Sequence, residues 1–421
     1  MSHYKPYPAY KDSGVEWLGE VPEHWKIKSV RRALSAPLSN GIFKKKEEFG
    51  EGVLLINVFD IYRPDFKVDF DSLDRVKCDP CEVVNYEVLP EDLFFVRSSL
   101  KQEGIAVVAI AGNCSEPAVY ECHLIRARPN RQVLNGRFGS YVLNSVVYRS
   151  KMVAKAKITT MTTIDQEAIL STELPLPPVL EQNVIAAFLD RETAKIDVLV
   201  NKKIRLIELI REKIVALASQ PPGSPDVAWI RLSHVCDVIS RPVLQQEDHS
   251  YTKLGLFNRG RGIFRKDATD TEDMGDSEFF WIQSGDLILS GQFAWEGAVA
   301  LASDEHTGCV VSHRFPVIRG CVDRTLTEYL FAYFLTHHGD FVLNDCSRGS
   351  AGRNRPLNMN ALLSWHIPIP LMQVQQEIAD LVYLHERISA LIMKSVFLLK
   401  EHRSGIIAAA VTGKIDIRGA T

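Results

Sequence analysis

The second half of this 421-residue chain repeats the first, and that repeat limits the possible folds more than any other feature. The segment LPLPPVLEQNVIAAFL, Leu174 to Leu189, aligns with IPIPLMQVQQEIADLV, Ile367 to Val382. Pro175 falls over Pro368, Pro177 over Pro370, Gln182 over Gln375 and Ile185 over Ile378, 193 positions apart each time. Farther out the shift drifts by one residue. Arg211 and Ile214 fall over Arg403 and Ile406, and Asp92-Leu93 falls near Asp286-Leu287. A chain of this length exceeds one ordinary core, and the repeat says how it divides: into two copies of one unit.

Each copy ends in a long helix. Proline fixes φ and lacks the amide donor that an interior turn needs, so Pro-x-Pro fits a helix entry. An apolar seam of period 3.5 follows at Leu189, Ile196, Val200, Ile207, Ile210, Ile214 and Leu217, broken by Thr193 and Lys203. The second copy gives Leu381, Ile388, Ile392, Leu399, Ile406 and Ala409, broken by His385, Ser395 and His402. Two such helices can pack along one seam, antiparallel, as a coiled coil. The alternative is that each stripe lies on its own globular domain.

Before each helix, β-branched and aromatic runs are cut by Gly, Pro, Asn and Asp. GVLLINVFDIY (Gly52 to Tyr62), GIAVVAIAG (Gly104 to Gly112), DLILS (Asp286 to Ser290) and GAVALAS (Gly297 to Ser303) read as strands. Shorter helices are expected over Ser140 to Ala156 and Leu326 to Gly339. The fold class is α+β: two mixed α/β globular domains joined by two long antiparallel helices, with an internal pseudo-twofold repeat. The boundaries read as 1–172, 173–220 for the central helix region, 221–365, and 366–421 for the closing one.

Chemistry is sparse. There is no Asp/Asn-Pro-Pro-aromatic motif for amino-group methylation and no G-x-x-x-x-G-K-[ST] loop, since Gly413-Lys414 continues into Ile415. Cys78 and Cys81 form a lone Cys-x-x-Cys without a second pair or histidine cluster, so no metal site is expected. No stretch of about 18 apolar residues is present, nor an apolar leader, and the expected setting is the cytoplasm, with no membrane partner. The formal net charge of −3 means that any nucleic-acid surface must be a local patch.

The sharpest such patch is SRGSAGRNRPLN, Ser347 to Asn358, with Arg348, Arg353 and Arg355 among glycines. Arginine can fork onto a guanine edge, while glycines let backbone amides approach phosphates. The matching place in the first half is YRSKMVAKAKITTMTT, with Arg149, Lys151, Lys155, Lys157, Thr159 and Thr160. Lys44, Lys45 and Lys46, Arg97 with Ser98, and Arg259 with Arg261 rank below these, because charge runs usually face solvent.

YKDSGVEWLGEVPEHWKI, Tyr10 to Ile27, closely resembles the opening of type I restriction-modification specificity subunits. The Pro-x-Pro-Pro-x-x-Glu181-Gln182 segment resembles that family's central spacer, and VTGKID, Val411 to Asp416, its closing motif. The second repeat departs from the first at Val374, where the first has Glu181. The resemblance implies two target-recognition domains, each reading half of a bipartite double-stranded DNA site, and a helical spacer that docks two methyltransferase subunits. It also implies no catalysis and no cofactor in this chain. S-adenosylmethionine would serve adenine methylation in the methyltransferase subunits; ATP and magnesium would serve the motor and endonuclease subunits. The competing readings are a non-catalytic coiled-coil adaptor and a nuclease with an unrecognised site.

Overall fold

The structure is a computed structural model that describes residues 4–158, 161–219, 224–244, 249–274, 277–349 and 355–419. The chain divides into two compact units, 1–202 with 395–421, and 203–394. Both are built to one plan.

In the first unit an antiparallel four-stranded sheet has the order Ser39–Asn40, Leu124–Ala127, Leu93–Val96, Val108–Ile110. Phe95 sits opposite both Ile125 and Val108 and is fully buried. In a second sheet Phe49–Ile56 runs parallel to Ala118–Tyr120 and antiparallel to Asp74–Val76. The run expected as one strand to Tyr62 turns at Asn57, whose amide donates to Asp60 Oδ2 at 2.8 Å; this caps helix α1, Val58–Ile61. Helix α2 is Pro80–Asn85, with Asp79 capping it and proline at its start.

The helix expected over Ser140 to Ala156 is two helices, α3 (Gly136–Asn144) and α4 (Val146–Ala154). Ser145 breaks them with extended backbone, and its hydroxyl donates back to the Val142 carbonyl at 2.8 Å. Helix α5, Gln166–Leu170, is capped by Asp165. Glu173–Leu176 then pairs antiparallel with Lys26–Ser29 and delivers the chain into α6, Val179–Ala218.

The second unit repeats this layout. Its antiparallel sheet has the order Cys236–Ile239, Val317–Gly320, Leu287–Leu289, Val299–Leu301. A second sheet carries the hairpin Ser250–Leu256 and Ile263–Asp270, beside Val310–Ser312 and Phe279–Trp281. Helices α7 (Thr327–Phe334) and α8 (His337–Asp345) again replace one expected helix. The Thr336 hydroxyl at the break accepts from Gly339 N at 3.1 Å. Helix α9 is Met359–Ser364. His366–Pro370 pairs with Val227–Arg231 and leads into α10, Met372–Val411, whose two ends lie 193 positions beyond those of α6.

The long helices are shared between the units and run antiparallel within each. In the first unit Ile185 and Leu189 of α6 share a core with Ile406, Ala410 and Val411 of α10, together with Phe138 and Tyr141 of α3. Arg403 Nε lies 3.1 Å from Asp197 Oδ1. In the second, Ile214 and Ala218 share a core with Ile378 and Val382, beside Tyr329 and Tyr333 of α7. The seam is legible in the burial pattern: Leu189, Thr193, Ile196, Val200, Ile214, Ile392 and Ile406 are buried, and Ile207, Ile210, Leu217, Leu381, Ile388 and Leu399 partly so. The polar interruption His402 faces solvent. The stripe reading in which each helix lies only on its own domain therefore fails; each helix also packs on the other.

Candidate nucleic-acid interface

In the first unit, the candidate cations lie on and just after α4. Arg149 is partly buried: its guanidinium donates to the carbonyls of Ile105, at 3.2 Å, and of Glu103. Burial pushes its pKa down from the usual arginine value, and no carboxylate pairs with it among the described residues. Its contacts hold a turn. Lys151 is exposed and lies 5.9 Å from the centre of the Trp17 ring, Lys155 donates to Ser171 Oγ at 3.1 Å, and Lys157 lies 3.4 Å from Asp165 Oδ2. All three ammonium groups face solvent, where such pairs are weak. Thr159 and Thr160 lie outside the described residues.

In the second unit, Arg348 is exposed and forks back onto the backbone and carboxylate of Asp345. Arg355 donates to Ser347 O at 3.0 Å and Asn344 Oδ1 at 2.7 Å, and stacks 4.9 Å from the Trp295 ring centre. Its guanidinium thus ties the end of α8 to the Ala294–Glu296 turn. Arg353 lies outside the described residues.

The lower-ranked candidates divide sharply. Lys44 has a buried side chain, 6% exposed, set between Glu82 at 2.7 Å and Glu48 at 3.2 Å, a structural ion pair and not a presented charge. Lys45 and Lys46 are exposed. Ser98 is buried with its hydroxyl 2.5 Å from His123 Nδ1, while the Arg97 side chain is exposed. Arg259 and Arg261 sit at the tip of the Ser250–Leu256/Ile263–Asp270 hairpin, both exposed.

Two features of the layout escaped the sequence reading. Glu181 is 8% exposed, and its carboxylate accepts from Tyr7 Oη at 2.8 Å and Trp25 Nε1 at 3.0 Å, with His24 Nε2 at 2.7 Å. It anchors the Tyr10-to-Ile27 motif to the start of α6. Gly413 takes φ +73°, and a Cβ there would meet Pro22 at 2.3 Å, so the closing VTGKID run fits against that motif only through glycine. Lys5 and Asp416 then pair, with Asp416 N donating to Lys5 O at 2.7 Å, which brings the two ends of the described chain together in the first unit.

All eight cysteines are free thiols. Among the described residues one donor group converges closely enough to share a metal ion: Glu121, Cys122 and His123, all within 4.8 Å. Internal hydrogen bonds account for it. Cys122 Sγ donates to Glu121 Oε1 at 3.2 Å, and His123 N donates to Oε2 at 2.9 Å. Among the described residues no helix is long and apolar enough to cross a membrane.

No family model matches the chain. In sequence it is 27% identical over 177 residues to a protein described as a putative type I restriction enzyme MjaX specificity subunit, from Methanocaldococcus jannaschii. That match covers 41% of this chain and 40% of the relative. It is 25% identical over 195 residues to the type I restriction enzyme EcoBI specificity subunit of Escherichia coli, covering 44% of this chain and 36% of that one. The matched stretches therefore span about two fifths of the relatives' length. In fold it is similar to a solved chain described under complex assembly and conformational transition of the type I R-M system. That likeness has a TM-score of 0.62 at 15% identity, covering 94% of this chain and 99% of that one.

Proposed function

We propose that this chain, similar in sequence to type I specificity subunits and sharing the fold of a type I restriction-modification chain, is a sequence-specific DNA-binding subunit of such a complex. It reads a bipartite site in double-stranded DNA and docks methyltransferase subunits. The observation that carries this reading is the duplication itself. Two copies of one unit, each closed by the same strand pair and built on the same antiparallel helices, suit a split target read by two equivalent modules. A coiled-coil adaptor explains the helices and leaves the duplicated mixed domains without a task.

On this reading Lys151, Lys155, Lys157 and Arg348 supply exposed cations for phosphate; Thr159, Thr160 and Arg353, expected from the sequence to serve the same end, lie outside the described residues. Arg149 and Arg355 act as positioning residues that hold those segments in shape. The helices offer apolar side chains to partners: Val198, Leu199, Phe397 and Leu398 in the first unit, and Leu206, Leu209, Leu391 and Met393 in the second are all at least 46% exposed. Methyltransferase subunits would cover them and bring S-adenosylmethionine, while motor subunits would bring ATP and magnesium. The chain itself performs no chemistry and works in the cytoplasm, beside the DNA.

Methylome sequencing of a host with and without this gene tests the reading. The expected result is a methylated two-part motif with a fixed gap that disappears with the gene. An unchanged methylome beside an expressed methyltransferase partner would refute it.

A further inference from the structure

The tip FNRGRGIF, Phe257 to Phe264, joins the two longest strands of the second unit. Arg259 takes φ +60°, Gly260 +58° and Gly262 +100°, three left-handed residues within four positions. For arginine that conformation is costly and persists only where the surroundings enforce it. Here they do. Arg259 N donates to Glu296 O at 3.0 Å, Gly260 N to Gly297 O at 2.8 Å, and the Arg211 guanidinium of α6 donates to the Arg259 carbonyl.

The cationic side chains of this clamped tip and of the strand leaving it are exposed, with Arg261 Nε also donating to Asn258 O at 2.9 Å. Arg259, Arg261, Arg265 and Lys266 are all exposed, and among the described residues none has a carboxylate within ion-pair distance. Arg348, also exposed in the same unit, by contrast has a carboxylate partner in Asp345. Two aromatic rings share the tip. Phe257 is 44% and Phe264 36% exposed, their ring centres lie 4.9 Å apart, and Arg261 stacks 5.8 Å from the Phe257 centre. Phe264 lies directly over Gly255, where a Cβ would meet the ring at 2.3 Å, so the backbone leaves room for the ring.

We infer that this hairpin is the element of the second unit that enters duplex DNA. A two-stranded ribbon fits the major groove, roughly 12 Å wide. The four unpaired cations would face phosphates and base edges, and the rings with Arg261 would lie against sugars or bases. Rigidity lowers the ordering entropy lost on binding. The inference rests on the DNA-binding reading above and names the surface that performs it.

The test is fluorescence anisotropy of the full chain on a labelled duplex over a salt series, with the variant Arg259→Ala/Arg261→Ala/Arg265→Ala/Lys266→Ala. Each lost phosphate contact lowers the slope of log affinity against log salt by about 0.9. The expected result is a slope reduced by about 2 or more and at least roughly tenfold weaker binding at low salt. Lys195→Ala/Arg205→Ala, which strips two ion-paired cations from α6, should change the slope by less than half as much. Should the quadruple variant fail to fold by circular dichroism, Arg261→Ala and Phe257→Ala singly serve instead, each expected to weaken binding several-fold. An unchanged slope on a duplex that the parent chain binds overturns the hairpin assignment and leaves the proposed function standing. A parent chain that binds no duplex, alone or with its methyltransferase partners, overturns both.

Discussion

Gln182 and Gln375 hold corresponding junctions in the two units through the same hydrogen bonds. Gln182 Oε1 accepts from Asn135 N at 2.8 Å, and Gln375 Oε1 from Leu326 N at 2.9 Å. Each side-chain amide donates back to the closing strand's last proline or the one after it, at Pro177 O and Pro370 O, both at 2.9 Å. Each also reaches a carbonyl just before the following helix, Val133 O at 2.9 Å and Arg324 O at 3.3 Å. Both are 1% exposed or less, so one buried amide fastens each long helix to the segment entering α3 or α7.

Replacing either glutamine by leucine removes the partner of three backbone groups, one buried and two partly buried. The expected cost is about 1–3 kcal/mol of stability. Urea unfolding of each single variant checks it. Equal stability of parent and variant would mean that the junction is held some other way.

Glu181 has no counterpart in the second repeat, where Val374 stands, because its partners Tyr7, His24 and Trp25 belong to a segment that occurs once. Glu181→Ala should free that segment while leaving the second unit untouched. The three lost hydrogen bonds to a charged acceptor amount to about 1.5–3 kcal/mol each before non-additivity. Limited trypsin digestion should then cut at Lys5, Lys11 or Lys26 before any site in 203–394. A digestion pattern identical to the parent's would remove Glu181 as the anchor.

Asp190 on α6 accepts from Arg137 Nε at 2.8 Å and Tyr141 Oη at 2.9 Å, fastening α3 to the helix. Burial pushes its pKa up, but the Arg137 hydrogen bond and charge outweigh that and hold it below the usual aspartate value. A depressed carboxyl contributes stability above its unfolded pKa of about 3.9, and that contribution is lost as pH falls through the lower folded value. Melting temperature should therefore fall more steeply below about pH 4 in the parent chain than in Asp190→Asn. Parallel curves for the two proteins would contradict the assignment.

The duplication, the helix pair and the fold class were legible because each rests on periodicity, which sequence carries directly. Pro175 and Pro368 do sit at equivalent places, opposite Ile27 and Trp229 in their closing strand pairs. The single-helix expectations over Ser140 to Ala156 and Leu326 to Gly339 missed breaks at Ser145 and Thr336, where one hydroxyl bonding to nearby backbone competes with the next helical turn. Charge was harder to read. Arg355 looked presented because a guanidinium beside glycines suits DNA, and Arg149 because it holds the matching place in the first half, yet each donates to carbonyls of its own chain. Lys44 looked like part of a solvated run until Glu48 and Glu82 enclosed it. The hydrogen-bonding partners in these cases lie up to 46 residues away, beyond what spacing along a chain reveals. The signal that could have raised Arg259 and Arg261 was local: RGRG between two phenylalanines, in a turn that demands left-handed residues.

In the long helices, reading and spacing can be separated. The long helices cross from one unit to the other near Lys203 in α6 and Lys394 in α10, so lengthening both there leaves each unit's own residues unchanged. Seven residues added to each helix preserve the phase of a 3.5-residue seam, whereas four would throw Ile207 and Ile392 off it. Seven residues add about 10 Å of helix, and DNA rises about 3.4 Å per base pair along each strand. On the proposed function, both half-sequences should stay as they are while the tolerated gap between them lengthens, by about three base pairs if the added length is transmitted directly. Single-molecule methylome sequencing reads half-sequence and gap in one experiment. New half-sequences at the old gap would show that the helices take part in reading bases, and would end their assignment as a ruler.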